Sequence, residues 1–592
     1  MRTIQRLIYS KSLFFIVVSA VILGLNLTPL ILQAKHTPPG RTFVLVHNNV
    51  QDFFFYQSLM NEGANGQWST NDPYTTENHQ SSFIFSYFLI LGKISKALFL
   101  PYSYTYHAVR IVFGILLFAA SYYLIYFLKT PFPKLTFLLF VFAGPLLRNS
   151  NVNGEILPLP YMNWWTGMDA IRRSAYLPHH MIGGFLLVLI IISLLKYSKD
   201  FNYKYIIISI LLSLLLSYIH TPSLFIILIS LPVAIFLFII TNRAVYKEKL
   251  QLSHLISGDA KRLSYLLIFW IVGITCLFIM LLQTRLGFPW SQYLSWEKKL
   301  QFPLDREIIG ALGILVPFSI IGIITSIKSK SFEKILISCW LLTPILLLPF
   351  SSRIGISNIR LIQGLPYLSL AITSIIGINY LNTLVKRLFP LIRVSLTLNN
   401  KTGDAREGSH TEMYRSMGNS SGRTRIRIMR NSFLKNLFLI AALILFSIFT
   451  YPSLSWSLKD QIREFWPIFG NVYIDNRLNN AFAFINKNYP KDTNTLSTFY
   501  SGNFLPAYTH TRSFIGHSGY TNNIEEKEQL VKIFFENKMS SQEAKSFILS
   551  NNIALIYQGP EEKPIYNDYL YPKILTPVYD REEVTLYVLR TE

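Results

Sequence analysis

Cysteine and charge are both scarce in this sequence of 592 residues. The two cysteines, Cys276 and Cys339, lie in apolar segments, so the sequence offers neither a disulfide framework nor a cysteine-based zinc site. Charged residues make up 15% of the chain, against about a quarter in soluble proteins. Together with 51% hydrophobic residues and a mean hydropathy of +0.34, this composition indicates a membrane protein.

Acidic residues are also few, since 32 Asp and Glu stand against 55 Lys and Arg, which gives a formal charge of +23. A basic excess is typical of nucleic-acid binding, but multispanning proteins accumulate Lys and Arg on their cytoplasmic side for topological reasons. We therefore expect no nucleic-acid partner. Glycine-rich phosphate motifs of the GxGxxG or GxxxxGK[ST] type are missing as well.

Long apolar runs fill the first three quarters of the chain and then stop. A span needs roughly 20 apolar residues to cross about 30 Å of hydrocarbon. The predicted spans, about eleven in all, are Ser12–Ala34, Thr105–Leu128, Leu135–Leu147, Leu177–Leu195, Tyr205–Ile219, Ser223–Ile240, Ser264–Gln283, Ile308–Ile327, Ile335–Phe350, Leu361–Leu381 and Phe433–Tyr451. The first run is long and lacks a clear cleavage site, which favours a retained span over a signal peptide.

The basic residues orient these spans. Under this count, all the loops rich in Lys and Arg fall on one side, which should be the cytoplasm, together with the N-terminus and the basic loop 386–432. The apolar stretch Phe83–Leu100 contains Lys93 and Lys96, and a central Lys costs roughly 3 kcal/mol on insertion scales. We therefore expect a helix in the membrane interface there rather than a span.

The fold class expected is a mainly α-helical polytopic membrane domain, residues 1–451, followed by a soluble α/β domain on the outer side, residues 452–592. Charged helical stretches such as EEKEQLVKIFFENK alternate with short apolar runs such as IALIYQG in this C-terminal part. The segment Ser501–Asn522 follows a predicted strand, where ligands often bind, although an ordinary connecting loop fits it too. The polar residues 399–431 are typical of a disordered linker.

In the first outer loop, residues 35–104, the stretch HNNVQDFFFYQS carries a single carboxylate, Asp52. Three phenylalanines follow it and would limit the access of water. An acid there can take a proton from a hydroxyl nucleophile, hold a cation, or simply be solvated. Glu77 and His79 stand close together further on, and hydrogen bonding fits them better than metal ligation, because no further His or Asp stands at a fixed spacing.

Arginines and histidines cluster on the outer side, against the charge rule that the other loops obey. They are Arg172, Arg173, His179, His180, Arg353 and Arg360. Arginine binds phosphate bidentately, so a lipid phosphate is a natural counterion for these residues. Pairing with Asp169 or contact with ordinary lipid headgroups is the alternative.

The order of these parts resembles the GT-C superfamily of polytopic membrane glycosyltransferases, which use polyprenyl-phosphate or polyprenyl-diphosphate sugars. In that superfamily a catalytic acid lies in the first large outer loop, interfacial helices follow, and many members end in a soluble outer domain. HNNVQDFFFYQSLMNEGANGQWSTNDPYTTENHQ looks like that loop, and RLIQGLPYLSLAI is similar to the span that begins with an arginine near the donor phosphate. SGNFLPAYTHTRSFIGH looks like the C-terminal domain of uncharacterised prokaryotic members.

The resemblance implies an inverting transfer of a sugar from a polyprenyl-phosphate donor to an acceptor hydroxyl at the outer membrane face. The acceptor would be a glycan, a lipid or a protein. Asp52 would act as the base, and Arg360, with Arg172 or Arg173, would stabilise the leaving phosphate. Many members carry a second acid beside the first, whereas Phe53 follows here, so the resemblance leaves the need for a divalent cation open.

Two other functions fit the same residues. A transporter would use the outer charges as a substrate vestibule, although transporters concentrate polar residues in broken helices near the midplane. A non-catalytic protein of envelope polysaccharide assembly would keep the fold without the chemistry. Trp68, Trp164 and Trp165 would stack on sugars or anchor the protein at the interface. Each reading predicts a multi-pass protein of the plasma membrane in contact with its lipids.

Overall fold

The computed structural model describes residues 2–242, 259–399, 420–464 and 472–590, with side chains for 10–242, 264–304, 306–385, 440–463 and 472–590. Helices α1 to α20 are Arg2–Lys35, Val50–Ala64, Ser86–Ala97, Tyr102–Phe127, Pro133–Phe142, Ala170–Ser174, Pro178–Asp200, Lys204–Thr241, Asp259–Gln283, Trp290–Lys299, Leu304–Leu312, Val316–Lys328, Phe332–Leu347, Ser351–Ile354, Pro366–Asn399, Ser420–Glu464, Leu478–Asn488, Phe499–Tyr508, Ile524–Phe535 and Ser541–Ser550. Strands β1 to β9 are Arg41–Phe43, Leu147–Val152, Glu155–Pro160, Tyr473–Asp475, Asn494–Leu496, Arg512–Ser513, Leu555–Gln558, Leu575–Arg581 and Val584–Leu589.

Nine helices in the described part of the chain are long and apolar enough to cross a membrane, which makes this a multi-pass membrane protein. They are Ser10–Lys35, Tyr102–Phe127, Pro178–Asp200, Lys204–Thr241, Ser264–Gln283, Arg306–Lys328, Phe332–Ile354, Pro366–Val385 and Ile440–Arg463. The predicted span Leu135–Leu147 is reduced to the short apolar helix α5. Two other predicted spans, Tyr205–Ile219 and Ser223–Ile240, both lie in the 38-residue helix α8.

Helix α8 reverses direction at His220, whose backbone is not helical (φ −152°, ψ 76°). Its two ends therefore lie on one side of the bundle, where α7 ends and α13 begins. The contacts that show this are Tyr205 with Lys196, His220 with His180, and Phe238 with Phe332. The two halves of α8 thus take the places of the two predicted spans.

The first outer loop folds into two short helices, α2 and α3, that cross at glycines. A Cβ on Gly92 would lie 1.8 Å from a main-chain oxygen of α2, and one on Gly63 would lie 2.1 Å from a main-chain oxygen of α3. Lys93 and Lys96 donate to carbonyl groups in the last turn of α2, which have no partner within that helix. Helix α3 has 12 residues and is not among the spanning helices, as predicted for this stretch.

The C-terminal part contains the predicted α/β domain. Its five-stranded sheet has the order β6-β5-β7-β9-β8, with β5 parallel to β6 and β7, and β9 antiparallel to β7 and β8. The stretches EEKEQLVKIFFENK and IALIYQG form α19 and β7, as predicted. Ser501–Asn522 differs from the expected loop, because its residues up to Tyr508 belong to helix α18.

The membrane and outer parts are joined at several places. Helix α16 continues to Glu464, so the predicted domain boundary at 451/452 falls within a helix. Strand β1 of the first outer loop pairs antiparallel with β4, and the hydroxyl of Tyr473 donates to the carbonyl of Gln33 at the end of α1. Of the predicted linker, residues 400–419 lie outside the described residues, and the residues from Ser420 onward begin α16.

Candidate active site

Asp52 lies in the first turn of α2, at the boundary between the membrane and outer parts. Asn49 caps this helix, and its side chain accepts the main-chain N–H groups of Gln51 and Asp52. A carboxylate is favoured in the first turn of a helix because it faces the positive end of the helix dipole. The Asp52 side chain is 39% exposed, and its Oδ1 lies 3.3 Å from Nε2 of His517 in the outer domain.

Tyrosines from six parts of the chain lie within electrostatic reach of the Asp52 carboxylate. They are Tyr56, Tyr74, Tyr106, Tyr176, Tyr293 and Tyr520. Burial, and then the charge of Asp52, raise the pKa of Tyr56 well above its ordinary value. Burial likewise raises the pKa of Tyr176 to about 12. These phenols stay protonated at neutral pH, so the wall around Asp52 consists of apolar rings that carry hydroxyl donors.

Arg360 precedes the spanning helix that begins at Pro366, and it approaches the same region from the other side. Its Nε donates to Oε1 of Glu297 in α10 at 2.8 Å, and Nη1 lies 3.4 Å from the amide oxygen of Gln363. Burial is the largest influence on the pKa of Arg360 and lowers it, but the charge and the hydrogen bond of Glu297, together with Tyr293 and Tyr520, raise it overall, so the guanidinium stays charged. The charges of both Asp52 and Arg360 act on the phenol of Tyr293.

Three histidines at the outer ends of spanning helices lie beside Arg360. The ring centroids of His179 and His180 are 4.6 Å apart, and those of His180 and His220 are 4.3 Å apart. His179 lies within electrostatic reach of both Asp52 and Arg360. Its Nδ1 and the Nε2 of Gln363 are buried atoms without a hydrogen-bond partner among the described residues. Unpaired buried polar atoms are costly, so these two atoms point to a polar ligand.

The two adjacent arginines of the second outer loop are occupied by protein groups. Asp169 caps helix α6, whereas Nη2 of Arg172 pairs with Asp460 at 2.8 Å. Arg173 donates to main-chain carbonyls, including that of Met168 at 2.9 Å, and its guanidinium lies 3.8 Å from the ring centroid of Tyr367. Arg173 therefore holds the loop against the membrane helices, while the charge of Arg172 still acts on Tyr176 beside Asp52.

Glu77 and His79 bind within the first loop and to the outer domain. Nζ of Lys527 lies 2.9 Å from Oε1 of Glu77, and the hydroxyl of Thr75 donates to the same carboxylate. Burial raises the pKa of Glu77, but these two donors outweigh it and hold the pKa below its usual value. Nε2 of His79 accepts the main-chain N–H of Asp72 at 2.9 Å. Both residues thus stabilise the loop that lies over the outer domain.

The remaining sequence candidates lie away from the acid. Arg353 is exposed, and its guanidinium is 5.8 Å from the ring centroid of Phe350. Trp164 stacks on Phe302 with ring centroids 4.3 Å apart. Trp165 lines a cavity of about 60 Å³ together with Arg173, Tyr176 and His180, and Trp68 lies under the ammonium group of Lys93. Within the described residues, no group of three or more His, Cys, Asp or Glu is arranged to hold a metal.

Sequence reasoning missed the partners that surround the two charges. Glu297 and Tyr293 belong to α10, a short polar helix that carries no motif in the sequence. His517 stands in Ser501–Asn522, the segment that the sequence left open between a ligand-binding loop and an ordinary connection. Its position one residue after Gly516 in a Gly- and His-rich turn was the available signal. Nothing in the sequence pairs it with an acid 465 positions earlier.

Together these parts define a structural class of membrane protein. A bundle of spanning helices has an acid on the first helix of its first outer loop, an arginine before a late span, and an α/β domain over both. This is the arrangement expected for the GT-C fold. No protein-family model and no curated protein sequence matches the chain.

Solved structures identify the fold more closely. The oligosaccharyltransferase of Archaeoglobus fulgidus, tethered to an acceptor peptide with the NVT sequon, matches 98% of this chain and 75% of its own at 13% identity, with a TM-score of 0.51. AglB of A. fulgidus, in complex with an inhibitory peptide and dolichol-phosphate, gives 13% identity over 93% and 70% of the two chains, with a TM-score of 0.48. ArnT of Cupriavidus metallidurans, bound to undecaprenyl phosphate, gives 10% over 98% and 98%, at 0.46. The match at a TM-score of 0.51 shows that the chain has a polytopic membrane fold like that of the archaeal oligosaccharyltransferase, in agreement with the GT-C fold predicted.

Proposed function

We propose that this protein is a membrane glycosyltransferase that transfers a sugar from a polyprenyl-phosphate donor to an acceptor hydroxyl at the outer membrane face. The transfer is inverting, and Asp52 is the base. One observation carries the proposal: contacts lead from Asp52 to His517, Tyr520 and Tyr293, and Tyr293 stands on the same helix as the Glu297 that binds Arg360. We infer that this carboxylate and this guanidinium, which are 308 positions apart, border one cavity.

The position of this cavity suits a lipid-linked donor. Asp52 follows α1, His179 is the second residue of α7, and Arg360 precedes α15, so all three lie at one boundary of the helical bundle. A polyprenyl chain would remain among the spanning helices while its phosphate and sugar reach this boundary. We infer that the protein lies in the plasma membrane with its active site on the outer side.

The donor phosphate is held by Arg360 and its neighbours. Two of the guanidinium nitrogens of Arg360 bind Glu297, while Nη1 has only a 3.4 Å contact to Gln363 among the described residues. A guanidinium carries five N–H donors, so Nη1 can donate to a phosphate oxygen. The buried Nδ1 of His179 and Nε2 of Gln363 supply the further partners that this site requires.

The reaction then follows from the two charges. Asp52 accepts the proton of the acceptor hydroxyl as its oxygen forms a bond to the anomeric carbon. The bond from that carbon to the phosphate oxygen breaks on the opposite face, and its electron pair stays on the phosphate. Arg360 stabilises the negative charge that grows there. General-base catalysis of this kind contributes about 10²- to 10⁴-fold.

The comparisons support this proposal at the level of fold. The archaeal oligosaccharyltransferase that matches at a TM-score of 0.51 was solved with an acceptor peptide, which supports a protein among the acceptor classes. A glycan or a lipid hydroxyl fits the tyrosine-lined cavity equally well. Membrane lipids are partners in every case.

The test is a transfer assay in membranes from cells that produce the wild type, Asp52→Asn or Glu155→Gln. Radiolabelled polyprenyl-phosphate sugars serve as donors, and the amount of each protein is normalised. We expect Asp52→Asn to lose transfer by at least about 100-fold, because an amide cannot accept the proton. Glu155 is an exposed acid on the second outer loop and serves as the matched control, so its variant should keep wild-type activity.

Transfer that survives in Asp52→Asn contradicts the assignment of the base. A wild type that transfers no sugar from any donor, but takes up a solute that Asp52→Asn still transports, contradicts the glycosyltransferase and supports the transporter.

A further inference from the structure

The imidazole of His517, in the outer domain, contacts the proposed base Asp52. His517 is 8% exposed, and its Nε2 lies 3.3 Å from Oδ1 of Asp52. The two residues belong to different parts of the molecule, since Asp52 stands on α2 of the first outer loop and His517 follows β6 of the C-terminal sheet.

The tautomer of His517 is fixed by its other ring nitrogen. The main-chain N–H of Gly519 donates to Nδ1 at 3.0 Å, so Nδ1 is an acceptor and carries no proton. In a neutral imidazole the proton then resides on Nε2. His517 is therefore a hydrogen-bond donor toward Asp52.

The ring is held in place from both faces. Tyr74 stacks on it with centroids 5.6 Å apart, and Tyr520 lies against it with centroids 4.5 Å apart. The turn itself is closed by Thr521, whose hydroxyl accepts the main-chain N–H groups of Gly516 and His517. The direction of the Nε2–H bond is thus set by packing and by the turn, independently of any substrate.

The same turn docks on the first turn of α2. Ser518 donates through its main-chain N–H and its hydroxyl to Oε1 of Gln51, at 3.2 and 2.9 Å. The amide of Asn503 in α18 approaches the carbonyl of Gln51 at 3.4 Å. These contacts lie beside the pair of His517 and Asp52 and involve neither side chain, so one of them can be removed without touching the acid.

We infer that His517 is a positioning residue for the transfer reaction: its Nε2–H holds Oδ1 of Asp52 and thereby directs Oδ2 toward the acceptor hydroxyl. The inference rests on the proposed function, because it assigns His517 a role through Asp52. It also means that the active site is incomplete without the outer domain. A misplaced base costs up to about 100-fold in rate.

The experiment compares three variants of the full-length protein in the membrane assay, with a donor that the wild type transfers. His517→Phe keeps the ring against Tyr74 and Tyr520 but has no donor, and His517→Gln restores an N–H donor at a similar reach. Ser518→Ala removes only the neighbouring hydroxyl bond to Gln51 and keeps the main-chain bond. We expect kcat of His517→Phe to fall about 10- to 100-fold with the KM for the donor unchanged. His517→Gln should recover most of kcat, and Ser518→Ala should match the wild type.

Three results would overturn the inference. The first is wild-type kcat in His517→Phe, and the second is a His517→Gln variant no better than His517→Phe. The third is an equal loss in Ser518→Ala, which would assign the effect to docking of the turn instead of to the donor. If Asp52→Asn loses transfer and His517→Phe does not, the proposed function stands and the positioning role fails.

A spectroscopic measurement tests the hydrogen bond between His517 and Asp52 without any substrate. Solid-state NMR of the ¹⁵N-histidine-labelled protein in lipid, with His517→Phe to assign the signal, should show Nε2 protonated and Nδ1 bare. Asp52→Ala should shift the Nε2 resonance, because its acceptor is removed. A proton on Nδ1, or an Nε2 signal that Asp52→Ala leaves unchanged, contradicts the pairing even where the wild type transfers nothing.

Discussion

At the scale of single residues, the three phenylalanines after Asp52 explain why a lone acid stands there. Phe53 packs on Tyr106 of a membrane helix, Phe54 on Phe504 of the outer domain, and Phe55 on Tyr520 beside His517. Successive residues of a helix point in different directions, so each ring anchors α2 to a different neighbour. The contacts of these three rings hold Asp52, at the start of α2, between the membrane helices and the outer domain.

A second carboxylate of the first loop gives a prediction about stability. Asp72 is 1% exposed, and only its Oδ1 accepts a hydrogen bond, from the main-chain N–H of Tyr74, while Oδ2 has no partner among the described residues. Burial raises its pKa from 3.8 to about 8. Between these two pKa values, Asp72 keeps its proton in the folded state and releases it in the unfolded state. The free energy of unfolding therefore falls as the pH rises through this interval.

Asp72→Asn mimics the protonated acid and should reduce this dependence. Each pH unit in the interval costs up to about 1.4 kcal/mol for one group. We expect the Tm of the wild type in detergent to drop more between pH 5.5 and pH 8 than the Tm of Asp72→Asn. Part of the slope remains, because burial also raises the pKa of Glu62 to about 8. Asp568→Asn, at an exposed outer position, is the control, and equal slopes in all three proteins would refute the account.

The sequence located the candidate charges but not their partners. Asp52 was predictable because an isolated acid in an apolar outer loop is unusual, and Arg360 because a basic residue departs from the charge rule there. Arg173 departs from the charge rule for a different reason, since its guanidinium donates to the main-chain carbonyls of Met168 in its own loop and of Phe140 in α5. His517 could not be found, because a contact between residues 465 positions apart leaves no local pattern in one sequence.

At the scale of elements, α2 is the piece that both halves of the molecule share. It crosses α3 on one side, and on the other side Asn61 donates to the carbonyls of Pro506 and Thr509 at the end of α18. The crossing with α3 depends on glycine, because a Cβ on Gly92 would lie 1.8 Å from a main-chain oxygen of α2. A backbone atom cannot rotate away as a side chain can.

We therefore expect Gly92→Ala to separate the two helices. Overpacking of this kind costs about 1–3 kcal/mol, which outweighs the gain of up to about 1 kcal/mol that alanine brings to a helix. The Tm in detergent should fall, and transfer should fall with it as α2 moves. Gly24→Ala is the matched control, since Gly24 is also helical and a Cβ there meets nothing within 4 Å. A Gly92→Ala protein as stable as Gly24→Ala would show that the crossing is looser than described.

Hydropathy predicted the membrane elements well because the lipid imposes length and composition on every span. The local sequence pattern mispredicted the secondary structure where tertiary packing determines it. Helix α18 contains Gly502, Asn503 and Pro506, which favour turns, yet it is buried between α2 and β6 and takes a helical form. Gly502 is needed there because a Cβ would lie 1.8 Å from the carbonyl oxygen of Ile515.

At the scale of the whole molecule, the basic loops and the candidate active site lie at opposite ends of the spanning helices. Basic loops lie on the predicted cytoplasmic side, where a cavity of about 320 Å³ is lined by Lys129 and Lys334 among apolar residues. The candidate active site lies at the other ends of the spanning helices, under the outer domain. Cations at both places attract a lipid phosphate. The place where the phosphate binds therefore distinguishes the two cavities.

The most direct test is a cryo-EM structure of the protein in lipid nanodiscs with undecaprenyl phosphate. The account predicts phosphate density within hydrogen-bond reach of Arg360 and His179, on the side of the cavity that faces Asp52. Density for the phosphate between Lys129 and Lys334, with the cavity at Arg360 empty, would contradict the central claim that one outer cavity holds both the donor and the base.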